Sequence, residues 1–361
     1  MVFFGLGAVD YCLGNRFGLG EAFERGFSLM GKIALSIMGL ICLTPVIADV
    51  LTPVVVPAFN AIKIDAAMFP SLFLSPDSGG WNIACQLTEN QAIADFSGLV
   101  VSAVMGGVVS FSIPAAVGLI SKEDTKYLAV GIMASFIVDP IGCFVGGLAE
   151  GLAPGVVIRC LIPVTIIGLL LALGLALIPH IMIKGFQIIA KILLVLMMVG
   201  LILGALNSML GIEIIEGMRS IGEAAKTVAS VAILVAGTLP LVKVIERIAK
   251  HPLNWVSQKT GIDSLALSFS LASLASILPA CTMYHKMNTR GKVLIAAAIG
   301  SFANMLGPHL GFAATVNQNM IVPMLAAKIA AGILAVPLAL WFGDRLFKDE
   351  IKADLAASAM L

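Results

Sequence analysis

Apolar runs long enough to span a bilayer recur from one end of this chain to the other, and no single water-soluble core could bury them all. The runs at 29–50, 96–120, 127–148, 161–178, 186–210, 227–244, 293–310 and 320–342 each read as a continuous spanning helix. A further run at 1–13 is short for a bilayer that needs about 20 residues. It lacks the basic start and small-residue cleavage site of a signal peptide and reads as a first helix. Composition agrees, because 59% of the 361 residues are hydrophobic and only 12% are charged, about half the soluble average. The chain therefore reads as an all-α polytopic membrane protein whose constant partner is the lipid bilayer. Lys+Arg 22 against Asp+Glu 21 leaves a net charge of +1, which excludes the basic surface that a nucleic-acid partner requires. The six cysteines (Cys12, Cys42, Cys85, Cys143, Cys160 and Cys281) contain no Cys-x-x-Cys pair and read as small packing residues.

Two apolar segments, 66–87 and 264–283, are interrupted, the first by Pro70 and the Pro76 to Gly80 turn, the second by serines and Pro279. They either span or turn back as broken hairpins, which lipid tolerates only where protein or a water-filled cavity satisfies the freed backbone. Loop charge separates the two readings. With both segments re-entrant, nine helices cross, and every Lys and Arg outside the spans falls on one side except Lys63, Arg159, Arg219 and Lys226. With eleven crossings the cations divide almost evenly, so the positive-inside rule selects the re-entrant form with the C-terminus cytoplasmic.

The order of features repeats at an offset of 194 to 199 residues: Gly14 with Gly211, Pro45 with Pro240, Asp77 with Ser276, Pro114 with Pro308. Residues 1–150 and 184–345 thus read as two repeats of one transporter domain joined by a linking helix at 159–180, and an odd number of crossings per offset makes them inverted. Inverted repeats with paired broken helices are the architecture of secondary transporters, whose substrate site lies where the breaks meet and whose halves alternate in access. The bland counterpart is a pair of paralogous helices that only pack well together.

An ionisable residue inside a bilayer is costly, so each one is a functional candidate. Asp77 comes first, in Ser75-Pro76-Asp77-Ser78-Gly79-Gly80, where Pro76 removes a donor and the two glycines let the backbone unwind around a carboxylate suited to a small cation. Its alternative is an N-cap in an ordinary turn. Trp81 offers a ring face to an ammonium or an anchor at the membrane interface, and Asn82 an amide to a hydroxyl. Ser276, Pro279 and Thr282 line the second break with neutral oxygens, and His309 stands at a Pro-Gly break in the second half or packs as a satisfied core histidine. Lys328 is too deep to reach water and pairs either with a carboxylate, Asp139 or Asp77, or with helix-end carbonyls. An Asp139–Lys328 pair is read either as a fixed bridge between halves or as intramembrane charge coupling.

His180, His251 and His285 fall in loops without metal-ligand spacing, and no cofactor motif is present. Gly142-x-x-x-Gly146 serves either internal helix packing or a homo-oligomer. Neither a phosphate-binding loop nor a hydrolase motif occurs, so an integral membrane enzyme would rest on isolated Asp77 and His309; the reading is a permease and not an enzyme.

Several stretches resemble the EutH-type ethanolamine permeases: Gly14-Asn15-Arg16-Phe17-Gly18-Leu19-Gly20-Glu21, Phe111-Ser112-Ile113-Pro114, Pro140-Ile141-Gly142-Cys143, Gly185-Phe186-Gln187, Asn288-Thr289-Arg290-Gly291-Lys292 and His309-Leu310-Gly311-Phe312. The resemblance runs in register over nearly the whole chain. It implies uptake of ethanolamine across a bacterial cytoplasmic membrane, with a permease for another small amine or polar solute as the alternative. Members of the family begin further upstream, which would complete the short first helix. At the first break this chain keeps Asp77, Gly79 and Gly80 but carries Ser78 for a methionine, and Gln86 stands for an acidic residue. The second break reads Ser276-Ile277-Leu278-Pro279 in place of Asn-Asn-Ile-Pro, Pro308 replaces an acidic residue before His309, and Asp139 is an addition.

Overall fold

A computed structural model describes residues 1–359, all helix and connecting turns with no strand among them. The chain opens with α1 (Val2–Cys12) and α2 (Leu19–Ser28), packed against each other. The turn between them is tied by Asp10, whose carboxylate accepts the N–H of Phe17 at 2.9 Å, Leu19 at 2.8 Å and Gly20 at 2.9 Å. Helix α3 (Met30–Ala61) runs on through Pro45, Pro53 and Pro57. A first hairpin follows, with arms α4 (Met68–Ser71) and α5 (Trp81–Leu87). Then come α6 (Gln91–Leu119), which is π-helical over Phe96–Gly106 and Val108–Ser112, α7 (Thr125–Glu150), α8 (Pro154–Leu177), α9 (Pro179–Leu210) and α10 (Ile221–Thr260). A second hairpin has arms α11 (Ser264–Ala272) and α12 (Leu278–Met283). The chain ends with α13 (Thr289–Gly300), α14 (Pro308–Val316), α15 (Ile321–Leu346) and α16 (Lys348–Ala359).

Among the described residues, seven helical stretches are long and apolar enough to cross a membrane: Leu19–Ala61, Gln91–Leu119, Lys122–Glu150, Pro154–Leu177, Pro179–Leu210, Ile221–Ala249 and Gln318–Leu346. The protein is an all-α polytopic membrane protein. Seven of the eight expected continuous spans are found in these stretches. The eighth, 293–310, is not continuous: α13 stops at Gly300 and α14 starts at Pro308, with Asn304 in the left-handed region at φ 60° between them. Pro308 has no N–H to extend a helix backwards, so the apolar run concealed a break. His180 and His251, expected in loops, lie within α9 and α10; the side chains of His251 and Lys250 fall outside the described residues.

Each interrupted segment leaves at the end where it entered. Asp65 before the first hairpin accepts the Ala67 N–H at 2.9 Å through Oδ1 and the Thr88 hydroxyl at 2.8 Å through Oδ2. Asp263 before the second accepts the Ala266 N–H at 2.6 Å through Oδ1 and the Asn288 N–H at 2.7 Å through Oδ2. One carboxylate thus starts the first arm and clasps the residue that follows the second. With both ends touching, each segment turns back on itself within the fold.

The middle of each hairpin is irregular and leans on the helix that follows it. Ser78 and Gly79 leave helical geometry, Gly79 at φ 92°, a conformation open to glycine. A Cβ on Gly106 of α6 would overlap the carbonyl oxygen of Leu74, and a Cβ on Gly307 would overlap that of Ala275. In the second half the break between α13 and α14 also donates to the hairpin, Asn304 N–H to the Ser273 carbonyl and Leu306 N–H to the Leu274 carbonyl, both at 2.8 Å.

Helix α7 packs most extensively along α15. Gly142 and Gly146 make this possible, since a Cβ on Gly142 would lie 2.6 Å from the Ala327 carbonyl oxygen and 2.7 Å from the Ala331 methyl. The Gly-x-x-x-Gly motif therefore serves packing within the chain. Gly142→Ala should cost about 1–3 kcal/mol by overpacking and lower the melting temperature of detergent-solubilised protein. Gly155→Ala, where a Cβ meets nothing within 4 Å, should leave it unchanged or raised.

Candidate functional site

The two hairpin breaks open onto one cavity of about 260 Å³. Ser75, Asp77 and Ser78 come from the first break, and Ala275, Ser276 and Leu278 from the second. Asn304, Pro308 and His309 enter from the broken α13–α14 span. Ile33, Ile37, Phe111, Val235 and Leu239 supply apolar walls. Since a water occupies about 30 Å³ in the liquid, a solute of a few heavy atoms fits with some of its water.

Asp77 is the acidic residue of this lining. Its Oδ1 accepts the Ser75 hydroxyl at 2.6 Å, which fixes the carboxylate, while the side chain stays half-buried at the cavity wall. The N-cap position of α5 belongs to Gly80, so the alternative of Asp77 as an ordinary helix cap is not what the chain builds. Ser276 also faces the cavity, and its hydroxyl accepts the Leu278 N–H at 3.4 Å. Ser78 and His309 line the same space.

Other expected site residues lie elsewhere. Gly79 packs on the Leu40 side chain and Gly80 against Ser102, behind the carboxylate. Trp81 turns away: its indole N–H donates to Asp95 Oδ1 at 2.6 Å and its ring meets Phe312 edge to face. The Asn82 side-chain amide oxygen accepts from the Arg219 guanidinium at 3.4 Å. Thr282 is exposed and donates to the Pro279 carbonyl at 2.8 Å. Pro279 lines a second cavity of about 430 Å³, which shares Leu29, Lys32, Leu239 and Ser276 with the first. That second cavity, with Glu21, Arg25, Lys243 and Glu246 on its walls, is a vestibule leading to the first.

Two lining residues escaped the sequence reading. Asn304 is buried at the left-handed turn, and the Asn-Met-Leu-Gly-Pro run from Asn304 to Pro308 carries the turn chemistry that marks such a break. Lys32 lies near the start of α3 and lines both cavities, which nothing in its local sequence announces.

Behind His309 lies a second polar group. Asp139 and Lys328 are each 1% exposed and His309 is 4% exposed. The Lys328 amine donates to the Ala103 carbonyl of α6 at 2.6 Å, which among the expected partners selects a main-chain carbonyl. Both Asp139 oxygens and His309 Nδ1 have no hydrogen-bond partner. An ionised carboxylate left so would cost several kcal/mol. Among the described residues no group of three or more His, Cys, Asp or Glu is arranged to hold a metal ion.

Comparison with known proteins follows the same outline. Residues 1–342 match the family described as "Ethanolamine utilisation protein, EutH". The chain is 39% identical over 350 residues to the "Probable ethanolamine permease EutH" of Listeria monocytogenes, covering 97% of this chain and 94% of that one. It is 35% identical over 367 residues to the protein of the same description from Salmonella typhimurium, covering 95% and 90%. The "Uncharacterized protein YxeR" of Bacillus subtilis is 36% identical over 335 residues, covering 93% and 90%. No solved structure matches.

The Asp95 cluster gives a structural test. Gln91 Nε2 and Asn317 Nδ2 join the Trp81 indole on this buried carboxylate, each at 2.9 Å, so Asp95 ties the first hairpin to the second half. Asp95→Leu strands these donors and should destabilise the protein by about 1–3 kcal/mol, read as a lower melting temperature with a shift in Trp81 fluorescence. Asp95→Asn keeps one acceptor and should cost less.

Proposed function

The chain belongs to the EutH family of ethanolamine utilisation proteins, and we propose that it is a permease, not an enzyme, that carries ethanolamine into the bacterial cell across the cytoplasmic membrane. The observation that carries this reading is the Asp77 carboxylate, fixed by Ser75 at the wall of a small cavity shared by both hairpin breaks. Protonated ethanolamine has one cationic end and one hydroxyl. The ammonium pairs with Asp77, and the hydroxyl reaches Ser276, Asn304 or His309, all on the second half of the chain. Trp81, Asn82 and Thr282 take no part in this arrangement, since each is committed elsewhere.

Transport proceeds by alternating access of two inverted repeats. In support of the repeats, the two clasps sit at matching places, Asp65 with Thr88 and Asp263 with Asn288, and Gly106 and Gly307 each meet a hairpin carbonyl. The vestibule opens beside Arg25 and Lys243, at the end of the molecule that the loop cations mark as cytoplasmic. The conformation is therefore inward-facing, with the C-terminus cytoplasmic.

Uptake of radiolabelled ethanolamine by cells expressing the chain, at an acidic pH that keeps the amine protonated, tests the substrate. Asp77→Asn should lower uptake by about 30-fold or more, because removing one partner of a desolvated charge pair costs about 2 kcal/mol or more, while the amount of protein in the membrane stays the same. Undiminished uptake by that variant would refute the site. Topology is read separately with a membrane-impermeant thiol reagent in a background lacking Cys12 and Cys85. Lys63→Cys and Glu89→Cys should react in intact cells, whereas Lys286→Cys and Lys348→Cys should react only after permeabilisation. Labelling of the first two from opposite faces would overturn the folded-back first hairpin.

A further inference from the structure

The cavity leaves unused a buried polar group whose arrangement is unusual for an ion pair. Lys328 directs its amine to the Ala103 carbonyl of α6 at 2.6 Å, although the carboxylic group of Asp139 shares the interior with it. Asp139, in α7, has no hydrogen-bond donor on either oxygen. An ionised aspartate would draw the ammonium to itself, because a buried charge without a partner is far costlier than a paired one. A neutral carboxylic acid carries no such demand. The geometry fits a twice-protonated pair, with Asp139 as the acid and Lys328 as the ammonium.

His309 stands between this pair's strip of α6 and the cavity. His309 lines the cavity with its Nδ1 unpartnered, and its ring edge rests on Gly107, where a Cβ would lie 3.1 Å from Cε1. Ala103 and Gly107 are one turn apart on α6, in the stretch where π-helical turns alter the usual carbonyl pattern. Lys328 and His309 thus meet the same short strip of α6 from two directions. Lys328 is the charge that acts on both Asp139 and His309. Of the elements around Asp139, α15 offers Lys328 and α7 itself offers Cys143. The charged Asp95, Arg159 and Lys292 of α6, α8 and α13 lie near the starts of those helices, away from this level.

Resting on the permease reading above, the geometry points to the Asp139–Lys328 pair as a proton-carrying site, emptied and refilled through His309 in step with the substrate at Asp77. One proton passes from the Lys328 ammonium by way of the His309 imidazole to cavity water, and the Asp139 acid returns a proton to the Lys328 amine. The pair changes from one net positive charge to none. The carboxylate left behind then claims the ammonium, drawing it off Ala103, and the strip of α6 behind the first hairpin break feels the change.

The test uses purified full-length protein in liposomes holding a trapped pH-sensitive dye, with the membrane potential clamped and labelled ethanolamine added outside. Liposomes carrying Asp77→Asn correct for amine that crosses the lipid unaided. Wild-type protein should move protons in proportion to labelled uptake. Asp139→Asn should retain uptake within about threefold and lose the proton movement, and Asp139→Glu should restore it. Uptake without proton movement in the wild type overturns the proposal while leaving the permease standing, as does proton movement that persists in Asp139→Asn. Absence of any ethanolamine uptake overturns both. Should Asp139→Asn fail to fold, infrared difference spectra of wild-type protein on adding ethanolamine decide the matter: a carboxylic-acid C=O band that changes on binding supports the site, and an unchanged band overturns it.

Discussion

A lipid-embedded chain cannot leave main-chain N–H and C=O groups without partners, and this constraint governs how the protein breaks its helices. The irregular stretches beside the cavity bond to the elements they lean on. The second hairpin accepts from Asn304 and Leu306, and the first donates the Ser75 N–H to the Ser110 hydroxyl of α6. Ser110 in turn donates to the Gly106 carbonyl, at the glycine that lets Leu74 come close. Each break thus has its own supporting partner, and the cavity between them is lined by the polar groups left over. Asp77 and Ser276 line that one cavity from the two halves of the chain.

Close packing and buried charge occupy the same seam. Asp139 precedes Pro140 and lies one turn before Gly142, and Lys328 directly follows the Ala327 carbonyl that Gly142 touches. Glycine contact brings α7 and α15 near enough that neither polar side chain has room to reach water. Lys328 answers this with a main-chain acceptor from a third helix, so α6, α7 and α15 are joined at one point. Any proton exchanged there acts on three helices at once.

Much of this architecture could be read from the sequence, for reasons that differ from element to element. Spans such as 127–148 and 186–210 are legible because apolar length alone defines them. The two hairpins are visible as interrupted runs, because Pro70, the Pro76 to Gly80 turn and Pro279 break the apolar pattern locally. The break at 301–307 was hidden because alanine, isoleucine and methionine keep the average apolar while Asn304 and Pro308 end the helix. Site residues divide in a similar way. Asp77, Ser276 and His309 stand at breaks, which local sequence reveals. Trp81 and Asn82 follow the break directly yet point to Asp95 and Arg219, since one turn of α5 swings them to another face. Lys32 and the Asp65 and Asp263 clasps depend on contacts with residues far along the chain or on another helix, which no local pattern encodes.

The walls of the cavity set a limit of their own. The side chains of Ile33, Ile37, Phe111, Val235 and Leu239 offer no hydrogen bond, and the polar side chains lie on the hairpin breaks, the α13–α14 break, the start of α14 and Lys32 of α3. A sugar or polyol would have to surrender the hydration of those hydroxyls that face the apolar walls, a loss of about 1–3 kcal/mol for each group left bare. Greasy walls on one side of the space and polar groups on the other thus favour a small solute with one polar edge over one ringed with hydroxyls.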